Sequence, residues 1–281
     1  MQLRKSQRKQ AKIKLAIQGS AGAGKTYSSL LLAKGLLGDL SKVAVIDTEN
    51  GSADLYAHLG SYNVLNLKPP FSPERYIEAI DTCLKAGMEV IIIDSISQCW
   101  DYLIDFHSSL QGNSFTNWAK VTPRQKAFID KILQASAHVI ATMRTKQDYV
   151  LNQKDGKYVP EKVGLKAIQR DGVDYEFTIV FDVDSKHFAR SSKDRTNLFA
   201  SAPEFQITEG TGKKILNWCE SGISNDEILE QIQLCKSEEE LKTLYRNYPD
   251  VREELIIAFK QKKNDLLNHK NYQENGTDIE K

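Results

Sequence analysis

In the stretch IQGSAGAGKTYSS, residues 17–29, Gly19 is followed by four residues and then by Gly24-Lys25-Thr26. This spacing, G-x(4)-G-K-[ST], fits a phosphate-binding loop. Glycines let the backbone turn tightly enough for successive amides to face an anion, and the positive end of a following helix adds to the attraction. The candidate nucleotide-binding residues are Gly19, Ser20, Ala21, Gly22, Ala23, Gly24, Lys25, Thr26 and Tyr27, with amides from about Ala21 to Thr26 aimed at the phosphates. Lys25 would reach the β- and γ-phosphates and the Thr26 hydroxyl would bind Mg²⁺. A second candidate is Asp94, which ends the apolar run Ile91-Ile92-Ile93 and is placed to hold the same cation. ATP and Mg²⁺ are the implied cofactors, with Thr26 and Asp94 as metal ligands.

Hydrolysis requires a group that orients or deprotonates water. Many hydrolysing P-loop enzymes carry Glu directly after the magnesium aspartate, whereas this chain has Ser95. Glu49, at the end of VAVIDTE, is the candidate for the missing carboxylate; the alternative is a solvated loop acid.

These residues need a scaffold. Lys12 to Gln18 reads as a strand, the glycine turn feeds a helix carrying Leu30 to Leu32, Leu36 and Leu37, and Lys42 to Gly51 reads as a strand buried on both faces. Ser72-Pro73-Glu74 starts a helix with a cap and a first-turn proline. EVIIIDSIS is a further buried strand, Thr122-Pro123-Arg124-Gln125 resembles a capping box opening a helix to about Ala135, and HVIATM is the next strand. Strands alternating with helices predict an α/β fold with a mainly parallel sheet covered on both faces. After Arg144 the chain turns polar, with Asp155-Gly156 as a hairpin turn, and YEFTIVFDVD and KHFARSSKDR predict a hairpin or added strands at the sheet edge. Ser224-x-x-Glu227 and Ser237-x-x-Glu240 are capping boxes of two helices, and a third is expected from Pro249 or Asp250 to about Leu267. The expected division is a basic arm (1–11), a P-loop domain (12–220), a helical region (221–269) and a fraying tail (270–281).

A net charge of +1 gives no global field towards nucleic acid or membrane. No apolar run approaches the length needed to span a bilayer, so no membrane partner is expected. The basic N-terminus lacks the apolar core of a secretory signal; it reads as a solvated arm or as a contact to nucleic acid or a neighbouring subunit. Four scattered cysteines suit a reducing cytosol, and the expected location is cytoplasmic.

The P-loop strand, then V-I-D-T-E, then I-I-I-D-S resembles the RecA-type recombination ATPases over roughly residues 12–200. The resemblance implies a RecA-like P-loop NTPase core and makes Glu49 the water-activating base. Arg144 stands where that group carries a polar sensor, usually Gln, and is a departure. Lys193 and Arg195, in Ser192-Lys193-Asp194-Arg195, resemble the pair of cations that RecA-like and DnaB-like ATPases insert into a neighbouring subunit's site. The other reading of that pair is charge on an edge strand that discourages aggregation. Phage-encoded RecA-fold ATPases of the AAA-domain kind share T-M-R-x-K, G-L-x-x-x-Q-R-D-G-x-x-Y-E-F and K-D-R-T with this chain. Some act beside single-strand annealing proteins in homologous recombination, and for a phage-encoded chain the expected cytoplasm is the host's. In RecA proteins two mobile loops grip DNA, and the corresponding stretches here hold Phe115, Trp118 and Lys120, then Lys146, Tyr149, Lys154, Lys157 and Tyr158. Aromatics beside lysines suit stacking and phosphate contact on single strands.

Two functions follow. One is an oligomeric DNA-recombination ATPase with ATP between subunits, Lys25, Thr26, Asp94 and Glu49 in cis and Lys193 and Arg195 in trans. The other is a nucleotide-gated interaction protein with little turnover, whose acidic helical C-terminus docks a replication or annealing partner or acts as a structural cap. A small-molecule kinase is the weakest fit, because no arginine-rich lid is evident.

Overall fold

Three strands are the rigid centre of the molecule because every one of their side chains but one is buried. They are β1 (Lys14–Gly19), β2 (Val43–Asp47) and β4 (Val90–Asp94). Such unbroken burial requires helices on both faces of the sheet. The structure, a computed structural model, describes the backbone of residues 8–154, 157–248 and 253–275 and the side chains of 8–147, 165–248 and 255–267. It divides into two units, Lys12–Asn217 and Trp218–Lys281 with Met1–Ala11.

In the larger unit the remaining strands are β3 (Asn63–Asn66), β5 (His138–Lys154), β6 (Lys157–Ala167), β7 (Ile179–Val183) and β8 (Ala189–Asp194). The sheet order is β3-β2-β4-β5-β1-β7-β8, with β6 paired to β5. Neighbours from β3 to β7 run parallel; β5–β6 and β7–β8 are antiparallel hairpins. This is the mixed, mainly parallel α/β sheet expected for a P-loop core, and β7 and β8 form the expected edge hairpin. The order matters for the site: β5 separates the P-loop strand from the Asp94 strand, and β2 lies on the far side of β4. The carboxyl ends of β1, β4 and β2 and the point near Arg144 where β5 leaves the parallel sheet therefore stand in a row, which is where open α/β sheets bind ligands.

The helices are α1 (Lys25–Leu37), α2 (Pro73–Lys85), α3 (Ser97–Ser109), α4 (Ser114–Gln134) and α5 (Glu209–Glu220). The main core beneath α2 and α4 contains Tyr76, Ile80, Ile91, Ile93, Phe128, Ile132 and Val139. On the other face, α1 meets the start of α5 at two glycines. A Cβ on Gly35 would lie 2.1 Å from the Glu209 carbonyl oxygen and one on Gly212 would lie 2.4 Å from that of Leu32, so only glycine permits this approach.

Two expectations are corrected here. Helix α4 starts at Ser114, not at Thr122. Its cap is Asn113, whose side chain accepts a hydrogen bond from the Phe115 amide at 2.8 Å. Buried positions Asn117, Val121, Gln125, Phe128 and Ile132 form one stripe that runs through Pro123, so burial of the whole face outweighs the proline's missing donor. The stretch expected as a first mobile loop is thus the end of α3, a short turn and two turns of α4. The second expected loop is replaced by backbone paired along β5 and β6. The side chains of Tyr149, Lys154, Lys157 and Tyr158 and the Asp155-Gly156 turn lie outside the described residues.

His138 opens β5 and is 2% exposed. Its Nδ1 accepts the Ile13 amide proton at 3.1 Å, which requires the neutral ring. Burial, with lesser contributions from Lys12 and Lys14, pushes its pKa down to about 3. The unfolded chain therefore binds the extra proton first as the pH falls below about 6.5. Stability is expected to be complete above that pH and to fall towards pH 3, by about 2 kcal/mol between pH 6.5 and 5. Denaturant unfolding at pH 7.5 and pH 5 checks this, with His138→Asn, an acceptor that does not titrate, as control. An unchanged pH slope in that variant contradicts the assignment.

The smaller unit is built from α6 (Asn225–Leu234), α7 (Glu238–Asn247) and α8 (Glu253–Asn275) around Ile228, Ile232, Leu241, Tyr248, Leu255 and Phe259. The Ser224/Glu227 capping box is complete, and the Ser237 side chain accepts from the Glu240 amide at 3.2 Å. The expected start of the third helix at Pro249 or Asp250 lies outside the described residues, as does residues 276–281 of the tail. Residues 8–11 run beside the start of this unit: the Gln10 amide donates to the Ile223 carbonyl at 3.1 Å, and Arg8 lies 4.4 Å from the Trp218 ring centre. These four residues are paired backbone and not a free arm.

Candidate functional site

Gly22 and Gly24 adopt left-handed conformations, with φ of 79° and 85°, which is why the loop between β1 and α1 needs glycine there. Gly24 is the N-cap of α1, and no acidic residue occupies the first turn of that helix, so its positive end is left to an anion. Lys25 Nζ donates to the carbonyls of Gly19 (3.0 Å) and Ser20 (2.8 Å) and lies over the loop. Burial lowers its pKa, against the pull of Asp94 and Glu49.

The Asp94 carboxylate is 3% exposed and receives two hydroxyls: Thr26 on Oδ2 and Thr142 on Oδ1, each at 2.5 Å. Burial raises its pKa in spite of both bonds. A buried carboxylate disfavoured as an anion, side by side with a threonine hydroxyl, is a donor pair that a hard divalent cation would satisfy. Thr26 and Asp94 therefore fit Mg²⁺.

Glu49 is held at the end of β2 by a chain of polar contacts. Asp47, 2% exposed, accepts the Glu49 amide on Oδ1 (2.6 Å) and the Ala53 amide on Oδ2 (3.0 Å). Thr48 donates to the Asp94 carbonyl (3.1 Å) and accepts the Ser95 amide (2.9 Å), stitching β2 to β4. The Ser95 hydroxyl then donates to Glu49 Oε1 at 3.1 Å. Ser95, which stands where a glutamate was sought, thus steadies a glutamate supplied by the neighbouring strand. Gln98 reaches the Thr48 carbonyl (2.9 Å) and Glu49 Oε1 (3.5 Å). Arg144, the last residue of β5 paired with β1, grips the carboxylate with both arms: Nε donates to Oε1 at 3.0 Å and Nη2 to Oε2. That contact raises the Arg144 pKa.

Lys25, Thr26, Glu49, Asp94 and Arg144 all line one cavity of about 710 Å³, within the range of small-molecule sites. Its lining also includes the rings of Tyr27, a candidate from the sequence, and of Tyr56 and His187, which were not foreseen. Tyr27 and Tyr56 meet edge to face with centroids 5.6 Å apart, and His187 of the β7–β8 turn lines the same cavity, its Nδ1 3.1 Å from the Ala23 carbonyl oxygen. Flat rings beside a phosphate loop suit a nucleoside base. Thr142 and Asp47 were also missed; a threonine in the apolar run HVIATM and an aspartate in VAVID were the available signals.

Lys193 and Arg195 are not part of this cavity. Both converge on the Tyr175 carbonyl, Lys193 through Nζ and Arg195 through Nη2 at 3.2 Å, on the edge hairpin. Burial, then Arg195, lowers the Lys193 pKa. Arg195 lies one residue beyond β8, and a register shift at Val180/Phe181 accompanies the pair.

The fold and the loop define a P-loop nucleotide-binding domain. The family described as AAA domain matches residues 11–215, and the chain belongs to that family. No curated protein matches it. No helix among the described residues is long and apolar enough to cross a membrane.

Proposed function

We propose that this chain is a RecA-type ATPase that hydrolyses ATP and, as a homo-oligomer, grips single-stranded DNA during recombination, repair or replication. The observation that carries this reading is the position of Glu49: a carboxylate two residues past β2, held by Ser95 just past β4, opening on the same cavity as Lys25 and Asp94. In this reading Lys25 neutralises phosphate charge, and Mg²⁺ on Thr26 and Asp94 supplies a Lewis acid and a template for the phosphate oxygens. Glu49 takes the proton of the water that attacks the γ-phosphorus, and the bond to the β-phosphate oxygen breaks to leave ADP and phosphate. Lys193 on the edge strand and Arg195 one residue beyond it are offered to the neighbouring subunit's site.

Support for DNA comes from a groove of about 660 Å³ between α3 and the foot of the β5–β6 hairpin. Trp118 stacks on Trp100 at 6.0 Å and on His107 at 4.3 Å, and the cations Lys146 and Arg170 line the same groove. Asp101 and Asp171 dilute the charge, and Asp171 pairs with Lys166 at 2.8 Å. Phe115, 86% exposed, stands one turn before Trp118. In this reading Trp118 offers a stacking face from a helix, where a mobile loop was expected. Trp118→Ala is expected to weaken binding of a labelled single-stranded oligonucleotide by about tenfold in fluorescence anisotropy with an ATP analogue present. Wild-type protein that binds no oligonucleotide with or without nucleotide would reject the DNA reading.

The second reading, a nucleotide-gated protein with little turnover, is favoured by one contact: the Arg144 fork occupies both oxygens of Glu49. Its partner would dock on the helical C-terminal unit.

A further inference from the structure

The Arg144 backbone is fixed on both sides, and its side chain is held by Glu49. Its amide donates to Ser97 Oγ at 2.9 Å, and its carbonyl accepts the Ile168 amide at 2.7 Å. In the sheet it pairs with Gly19, the first residue of the phosphate loop, and it is the last residue of β5 paired with β1, on the strand between that loop and Asp94. The side chain reaches across the end of β4 to Glu49. Neither partner is sealed: the Arg144 side chain is 39% exposed and that of Glu49 23%.

A guanidinium fork matches a carboxylate and a phosphate with the same two parallel N–H donors. Glu49 keeps other donors besides Arg144, since Ser95 and Gln98 both reach its Oε1. Withdrawal of Arg144 would therefore leave the carboxylate oriented but uncovered.

We propose that a bound nucleoside triphosphate competes with Glu49 for the Arg144 fork, so that Arg144 masks the general base until a terminal phosphate draws it away. This rests on the reading of Glu49 as the base and of the cavity as an ATP site. Arg144 then has two roles in one movement, sensing the γ-phosphate and releasing the carboxylate. Lys25 cannot make the distinction alone, because a diphosphate also presents the β-phosphate that Lys25 reaches.

The competition separates triphosphate from diphosphate binding, and an equilibrium measurement reads it without turnover. The affinities of a non-hydrolysable ATP analogue and of ADP, each with Mg²⁺, are compared by displacement of a fluorescent nucleotide from the full chain. Glu49→Gln loosens the competitor's hold, so analogue affinity is expected to rise about tenfold while ADP affinity stays within about twofold. Arg144→Gln is expected to lower analogue affinity about tenfold, again sparing ADP, and Arg144→Lys, which keeps charge without the fork, to fall between. Equal shifts for both nucleotides, or weaker analogue binding by Glu49→Gln, would overturn the competition while leaving the nucleotide site intact. Should Arg144→Gln fail to fold, the Glu49→Gln comparison decides alone. Wild-type protein that binds neither nucleotide would remove the ATP reading and the competition with it.

Discussion

Glu49→Gln is expected to slow ATP turnover by about two to three orders of magnitude while ATP remains bound, because a positioned general base contributes about that much. The substitution is nearly isosteric and keeps an acceptor for Ser95, whose hydroxyl lies 3.1 Å from Oε1. What it removes is the capacity to take a proton. The contacts expected to hold nucleotide belong to other elements: the loop glycines and Lys25 to the β1–α1 turn, and Asp94 to β4. Loss of turnover should therefore separate from loss of binding. Measured phosphate release that is unchanged in Glu49→Gln would mean another group activates the water. Ser95→Ala provides a graded comparison, since it removes one donor to the carboxylate and leaves the carboxylate itself.

The second large effect is on stability. Phe128→Ala is expected to lower the unfolding free energy of the larger unit by about 3–5 kcal/mol. Phe128 is 1% exposed on α4, and its ring centre lies 4.9 Å from that of Tyr76 on α2, so truncation leaves a void between two helices and the sheet. The site feels this void through one bond. Tyr76, fully buried, donates its hydroxyl to the Ser95 carbonyl at 2.8 Å, and Ser95 in turn steadies Glu49. Burial pushes the Tyr76 hydroxyl pKa far up, so it serves as a donor across the working pH range. Denaturant unfolding monitored by circular dichroism measures the loss; a change below about 1 kcal/mol would show that the core collapses around the truncation.

What could be read from the sequence was local and periodic. The phosphate loop, Asp94 at a strand end, Glu49 two residues past another strand, the Ser224/Glu227 capping box and the Ser237 cap each lie within a few residues of the signal that reveals them. The start of α4 escaped because Thr-Pro-Arg-Gln imitates a helix beginning, while the true stripe contains two buried polar residues, Asn117 and Gln125, that break the apolar period. Asn117 is buried because its side chain serves the Leu110 and Gln111 carbonyls, each at 3.3 Å, which no periodicity announces. The length of β5 escaped for a different reason: beyond Arg144 its residues are polar, and hairpin pairing with β6 stabilises them as a strand. The bidentate contact of Arg144 with Glu49 joins residues 95 positions apart and depends on strand order alone. Thr142, Asp47 and Gln98 were invisible in the same way, each being a single polar residue whose partner lies on a neighbouring strand or loop.

The central claim is that one cavity combines a phosphate loop with a carboxylate that activates water. Steady-state phosphate release from ATP and Mg²⁺, measured on the full chain with and without single-stranded DNA, tests it most directly. Release by the protein alone and faster release with DNA are expected, and in both conditions Lys25→Ala and Glu49→Gln should lower it by about two orders of magnitude or more. Release that is absent from wild type in both conditions, or that persists undiminished in Glu49→Gln, would contradict it.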